Sequence, residues 1–283
     1  MKNLILHFLL MICTFSLLAQ PANEPKFTND EWARPYEPFR IVGNVYYVGT
    51  YDLACYLITT SEGHILINTG VSSSASVIES NVKTLGLKFS DIKILLTTQA
   101  HYDHTGALAA IKSKTKAKMM ANEKDAAVLE DGGISDYAFG GSVTFKPVKV
   151  DRLLKPDDMI ELGGVTLKML HHPGHTKGSC SYFLTTNDGS RSYRVLIANL
   201  PTIIVSQNLS EVSTYPTISD DIASTLSSMK ELSFDIWLAS HASQFNLHKK
   251  RKPGDAYNPE VFKDRTGYEK ALIRLEKEYE QKK

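Results

Sequence analysis

The ten residues TTQAHYDHTG, Thr97 to Gly106, end an apolar run with a glutamine, two histidines and an aspartate. Imidazole nitrogens and carboxylate oxygens are ordinary zinc donors, and a carboxylate can also orient a water and take its proton. Extended chain entering a tight turn places alternate residues on one side. Gln99, His101 and Asp103 are therefore expected to face one cavity, with His104 turning in as the next helix begins. The plainer account is a helix cap at Asp103 with histidines on the surface. Two further histidines favour a metal: His175 follows the apolar run VTLKML, and His241 follows FDIWL. Loops that each follow an apolar strand can gather ligands from distant parts of a chain at one edge.

Those loops require strands and helices to carry them. IVGNVYYVGT, LACYLITT and HILINTG read as three short strands separated by turn residues, with the alternation and β-branching that strands favour. A helix over 75–85 ended by Gly86, a buried strand IKILLTT, a helix GALAAIKS, a strand over 118–121 and a helix over 123–129 follow. Next comes the glycine-rich loop EDGGISDYAFGG. VTLKMLHH, GSCSYFLTT and YRVLIANL read as strands, 218–232 as a helix and FDIWLAS as a strand. Beyond Pro259, the spacing of Val261, Phe262, Leu272, Leu275 and Tyr279 among charges is that of an amphipathic helix. Each half begins with strands and goes on to alternate helix and strand, and no Pro/Gly/Ser linker divides them. The order predicts one α/β domain over 20–283, with two packed sheets and helices outside.

With 283 residues, 42% of them hydrophobic, the chain has ample material for a substantial core. Lys and Arg total 32 against 31 Asp and Glu, and no basic stripe carries interleaved aromatics, which argues against a nucleic-acid partner. At the N-terminus, Lys2 precedes an apolar core from Leu4 to Leu18 and then Ala19, the layout of a secretory signal peptide over 1–19. The apolar run falls short of the ~18–20 residues needed to span a bilayer. Ile12 stands where a lipoprotein signal around Cys13 wants a small residue. Export to the periplasm with no stable membrane association is therefore expected, and a monomer is the default expectation. Cys55 and Cys180 could pair in an oxidising compartment, but each sits in an apparent strand where a small buried thiol is ordinary, and they are expected unpaired.

The pattern H-x-H-x-D-H followed by single downstream histidines resembles the hallmark of the metallo-β-lactamase superfamily, with Gln99 in place of the first histidine. The segments YEPFRI, TQAHYDHTGAL, HHPGHTKGSCS, RVLIAN and SHASQF together resemble the GOB type of subclass B3 β-lactamases, in which that histidine is glutamine. The resemblance covers essentially all of the mature chain and implies a four-layer αββα sandwich, two mixed β-sheets flanked by helices. It implies that Gln99, His101 and His175 hold one zinc and Asp103, His104 and His241 a second. A water or hydroxide beside the metals would attack the amide carbonyl of penicillins, cephalosporins and carbapenems, conferring antibiotic resistance, with Asp103 orienting that water and handling its proton. Because a neutral amide oxygen is a weaker zinc donor than imidazole, the Gln99 site is expected to bind the metal less tightly.

The same resemblance marks candidate substrate contacts. Thr202 matches a position where relatives use serine near the substrate carboxylate, and Leu200 stands where they carry serine or methionine, which leaves an apolar wall. Tyr137 and Phe139 lie on the glycine-flanked loop, which either closes over substrate or forms a plain surface turn. Cys180 is assigned to packing, His171 and His172 to support behind His175, and His64 and His248 to solvent. Asn68 either supports the site through a hydrogen bond or serves a turn. S-x-x-K occurs at Ser80, Ser90, Ser113 and Ser227, but the chain has neither the S-D-N nor the K-T-G that accompanies it in serine β-lactamases, which disfavours a serine nucleophile. The fold also serves glyoxalase-type thioester hydrolases, lactonases, sulfatases and nucleases; export, charge balance and the GOB-type segments favour β-lactams. A non-catalytic zinc-binding protein, with Gln99 marking lost function, is the alternative from another class, and the presence of Asp103, His104 and His241 weighs against it.

Overall fold

The computed structural model describes residues 22, 24–25 and 29–283, so the expected signal peptide and Cys13 lie outside the described residues. Strands β1 (Phe39–Val42), β2 (Val45–Tyr47), β3 (Tyr56–Thr60), β4 (Gly63–Ile67), β5 (Ile92–Leu96), β6 (Lys118–Asn122) and β7 (Arg152–Leu154) lie side by side in chain order in one sheet. Strands β8 (Met159–Leu162), β9 (Val165–His171), β10 (Cys180–Asp188), β11 (Arg191–Ala198) and β12 (Ile236–Ala239) make the second, in the same order. Both sheets are mixed: β4 through β7 run parallel, as do β11 and β12, and the other neighbours are antiparallel.

The pleat turns successive side chains to opposite faces, which sorts the strand residues between two cores. Tyr56, Ile58, Ile65, Ile67, Ile94 and Leu96 join Met169, Tyr182, Val195 and Leu238 between the sheets. Their neighbours Leu57, Leu66 and Leu95 face the other way, against Ile78 and Val82 of α2 (Ser74–Thr84) and Leu108 and Ile111 of α4 (Leu108–Thr115). On the far side, α6 (Ile218–Glu231) and α8 (Arg265–Lys282) cover the second sheet through Leu226, Met229, Leu272 and Leu275. The result is the expected αββα stack. Four short helices complete it: α1 (Asp30–Ala33), α3 (Tyr102–Thr105), α5 (Ala126–Asp131) and α7 (Leu247–Lys250).

Several sequence expectations need correction. The first predicted strand is a hairpin, because Gly43 adopts φ +53° and reverses the chain where a side chain would collide with Thr186. The short strands β7 and β8 carry too little alternation to be seen in the sequence; Leu153 and Met159 are exposed. His64 is buried, not solvent-facing, on β4. His248 is half-buried, stacked on Tyr51 at 3.7 Å and donating to the Tyr51 carbonyl at 2.7 Å. Cys55 and Cys180 are buried and free, in separate cores on opposite faces of the first sheet.

Candidate metal centre

The histidine-rich segment is set by what happens after β5 ends. Asn68, which follows β4 in a left-handed conformation at φ +61°, accepts hydrogen bonds from the Thr98 amide at 2.9 Å and the Thr98 hydroxyl at 3.1 Å. This braces the turn that delivers Gln99 and His101. His101 then caps α3 in extended conformation, and Asp103 and His104 lie within the helix. Asp103 therefore reaches the cavity by a helical turn, not by strand alternation as the sequence suggested. Glycine is required at 106, where a β-carbon would lie 2.6 Å from the Ser72 amide.

The His175 loop is held from below. Asp125 accepts from the Thr176 hydroxyl and the Gly178 amide, both at 2.7 Å, and burial pushes its carboxyl up to about 6 against those two bonds. His241 follows β12 and forms an isolated bridge to Leu53. Behind the loop, His172 bonds the Ser181 hydroxyl at 2.7 Å, and His171 bonds the Asn122 amide at 2.8 Å.

Five of the six expected donors, Gln99, His101, Asp103, His175 and His241, line one cavity of about 350 Å³, and His104 is buried beside them. His175 donates from Nδ1 to the Thr202 carbonyl at 2.8 Å, and His101 donates from Nε2 to Asp136 at 3.2 Å. Each ring is left with a lone pair on its other nitrogen, and those nitrogens face each other at 3.1 Å. Two facing lone pairs repel unless a cation lies near. Asp103 Oδ2 is 3.1 Å from His104 Nε2 and 3.3 Å from His241 Nε2, and ligand atoms of the three lie within 4.8 Å of one another. Gln99 Oε1 and both ring nitrogens of His104 are buried without a hydrogen bond, a situation that costs about 1–3 kcal/mol per group in an ordinary interior. Unpaired donors converging on a shared cavity are what zinc requires, and these residues fit it.

The electrostatics agree. Burial works against charge on Asp103, but the imidazoles of His104 and His241 beside it hold its carboxyl well below the usual range. Burial likewise opposes charge on His241, yet hydrogen bonds to Asp103 and Asp52 outweigh it and raise the ring to about 9. Burial, reinforced by the adjacent His101 imidazole, lowers His175 to about 3, which keeps its lone pair free. His104 is lowered too, chiefly by burial.

Two carboxylates escaped the sequence reading. Asp52 Oδ2 accepts from His241 Nδ1 at 3.0 Å and from the Trp32 indole at 3.2 Å, while its Oδ1 accepts from the Ser243 amide at 2.9 Å. Asp136 orients His101 and accepts through Oδ1 from the amides of Ala138 and Phe139 at 2.9 and 2.8 Å. Each lies far along the chain from the histidine it holds, so spacing carries no sign of the pair. The candidate substrate contacts divide. Phe139 and Leu200 line the cavity, Phe139 edge-on to His101 at 5.0 Å. The Thr202 hydroxyl also lines it, but lies 2.9 Å from His175 Nδ1. Tyr137 turns away to donate to the His175 carbonyl at 3.0 Å and packs on Tyr215.

Carboxylates that orient a metal-ligating histidine are typically worth about 10–100-fold in metal affinity. Asp136→Asn, which keeps the shape and loses the charge, is expected to weaken zinc binding at the Gln99, His101, His175 site by that factor in a competition titration against a chromophoric chelator. Affinity within twofold of the parent would show that the loop does not set His101.

Residues 49–188 match the family model described as the metallo-beta-lactamase superfamily. The chain is 61% identical, with a TM-score of 0.91, to the class B3 di-zinc metallo-beta-lactamase LRA-12 from an Alaskan soil metagenome, over 92% of this chain and 99% of that one. It is 57% identical, with a TM-score of 0.92, to the metallo-beta-lactamase GOB-18 from Elizabethkingia meningoseptica, over 93% of this chain and 98% of that one. Among curated relatives, the probable metallo-hydrolase YqgX of Bacillus subtilis is 30% identical over 143 residues, 50% of this chain and 64% of the relative. The chain thus spans less than two thirds of that relative's length.

Proposed function

The chain belongs to the metallo-β-lactamase superfamily and within it to the class B3 zinc β-lactamases, and from that membership we propose that it acts in the periplasm as a monomer, hydrolysing penicillins, cephalosporins and carbapenems and so conferring antibiotic resistance. The observation that carries the reading is the convergence of unpaired donors on one cavity in a chain so similar to class B3 enzymes along its length.

Gln99 Oε1, His101 Nδ1 and His175 Nε2 would hold one zinc, and Asp103 Oδ2, His104 Nε2 and His241 Nε2 the other. Bound zinc supplies Lewis acidity, lowering the pKa of a water to ~7 and polarising a carbonyl. The rest of the work falls to the chain. Asp103, kept ionised, accepts a hydrogen bond from the attacking water, aims it and takes its proton. Asp52 and Asp136 fix the rings of His241 and His101, so the donors do not reorganise during the reaction. Trp32, Phe139, Leu200 and Ile204 give the cavity apolar walls that exclude bulk water around the lactam.

The test is hydrolysis of a carbapenem and a cephalosporin with and without a chelator, alongside zinc content. Turnover is expected to vanish with the chelator and return with zinc. Bound zinc without β-lactam turnover would direct the search to other ester and amide substrates of the fold. In the zinc titration, the Asp103 site is expected to fill first, because a neutral amide is a weaker donor than imidazole. Filling with equal affinity would refute that ranking.

A further inference from the structure

Away from the cavity, two basic segments meet that are distant in sequence. In IKSKTKAK every second residue from Lys112 to Lys118 is lysine, and KPVK contributes Lys146 and Lys149. Lys116 takes a left-handed conformation at φ +59°, ending α4 and turning the chain directly into β6. Lys112 Nζ donates to the Lys149 carbonyl at 2.7 Å and fastens the two segments together. Between them lies a groove of about 590 Å³ lined by Lys112, Lys116, Lys118, Lys146 and Lys149, with Asp151 its single carboxylate. That carboxylate is already taken, by Lys112 and by the Met119 amide. Neighbouring Lys114 pairs with Glu79 at 2.6 Å. Among the described residues, Lys116, Lys118, Lys146 and Lys149 are all exposed and none has a carboxylate within ion-pair distance.

The groove's place in the fold is as informative as its charge. It opens at the start of β6, whose other end leads through Asn122 to Asp125, the residue that holds the His175 loop. At ~3.3 Å per strand residue, roughly 15 Å of sheet separates groove and metal centre. A partner on the lysines therefore leaves the cavity open. Ammonium groups on flexible stems are compact point charges suited to dispersed phosphates. The groove lining offers no aromatic ring for base stacking and no arginine fork, which makes nucleic acid the poorer match. No helix among the described residues is long and apolar enough to cross a membrane.

We infer that this lysine groove docks the protein reversibly on an anionic phospholipid surface. The contact is electrostatic and superficial, and so compatible with the absence of stable membrane association expected from the sequence. A formal charge of +1 gives the whole chain almost no general attraction to such a surface, so binding depends on where the lysines are gathered.

The test is co-sedimentation of the zinc-loaded protein, purified in its exported form, with phosphatidylglycerol vesicles. Binding is expected at low ionic strength, not to phosphatidylcholine vesicles, and is expected to disappear at 0.5 M salt, where the Debye length is only ~4 Å. Each lysine near such a surface is worth roughly fivefold, so the variant Lys116→Gln, Lys118→Gln, Lys146→Gln, Lys149→Gln is expected to lose a hundredfold or more in partitioning while β-lactam turnover stays unchanged. A control with equal charge loss elsewhere, Lys252→Gln, Lys263→Gln, Lys270→Gln, Lys277→Gln, should bind nearly as the parent does. Equal loss in both variants, or no binding by the parent, overturns the proposal. Competition by millimolar inorganic phosphate, or tighter binding to duplex DNA than to vesicles, would overturn the assignment to a lipid surface.

Discussion

Asp103→Asn is expected to lower kcat for β-lactam hydrolysis by roughly 10²–10⁴-fold, the range spanned by positioned acid–base groups. The side chain does two things at once: Oδ2 lies between His104 Nε2 and His241 Nε2, and the carboxylate is held ionised beside the cavity. Asparagine keeps the shape and one oxygen. It removes the charge that attracts zinc and the basicity that accepts a proton, and it can aim an N–H at a histidine lone pair. Zinc content should therefore be measured with turnover, and the variant assayed at saturating zinc to separate lost metal from lost proton handling. Its fold should persist, because Asp103 serves no cap in α3. A kcat within tenfold of the parent at full zinc occupancy would remove Asp103 from the proton-handling role.

The second large effect is expected at Asp52, a residue that lines no part of the cavity and makes no direct approach to the proposed metal. Its carboxylate collects the His241 ring, the Ser243 amide and the Trp32 indole. Asp52→Ala releases all three, and the His241 ring is free to rotate or change tautomer. Zinc affinity at the Asp103, His104, His241 site is expected to fall by about 10–100-fold. The stranded Ser243 amide adds a stability loss of about 1–3 kcal/mol, visible as a lower Tm in both metal-free and metal-loaded protein. With zinc saturating, kcat should recover most of its value, since Asp52 touches neither water nor substrate. Unchanged zinc affinity together with a lowered Tm would leave Asp52 a purely structural role.

Gln99 illustrates how far a sequence reading reaches. Its residue type and neighbours single it out as an odd member of a metal cluster, and the structure places its side-chain oxygen in the interior with no hydrogen bond. His175 and His241 were legible for a similar reason: each ends an apolar strand, and parallel or antiparallel pairing of β9 to β12 brings those ends to one edge. The layer order was also legible, since strand runs and amphipathic helices are local patterns. Tyr137 and Phe139, two residues apart on one loop, show the limit. They read alike in sequence, yet Phe139 faces the cavity and Tyr137 packs inward on Tyr215. His64 and His248, expected in solvent, were claimed by a strand interior and an aromatic stack.

What the sequence determined by itself were the candidate donor residues, most of the order of elements and the apolar periods that sort them into layers, because these depend on residue type and on spacing over a few turns. Only the tertiary structure decided which acid holds which histidine: Asp52 with His241 and Asp136 with His101, pairs whose members are 189 and 35 residues apart. It also decided that a chain of almost no net charge gathers four unpaired lysines in one groove at the start of β6. Hydrogen bonds and electrostatic fields act through space over a few ångströms, and distance along the chain does not encode that proximity until the strands have paired.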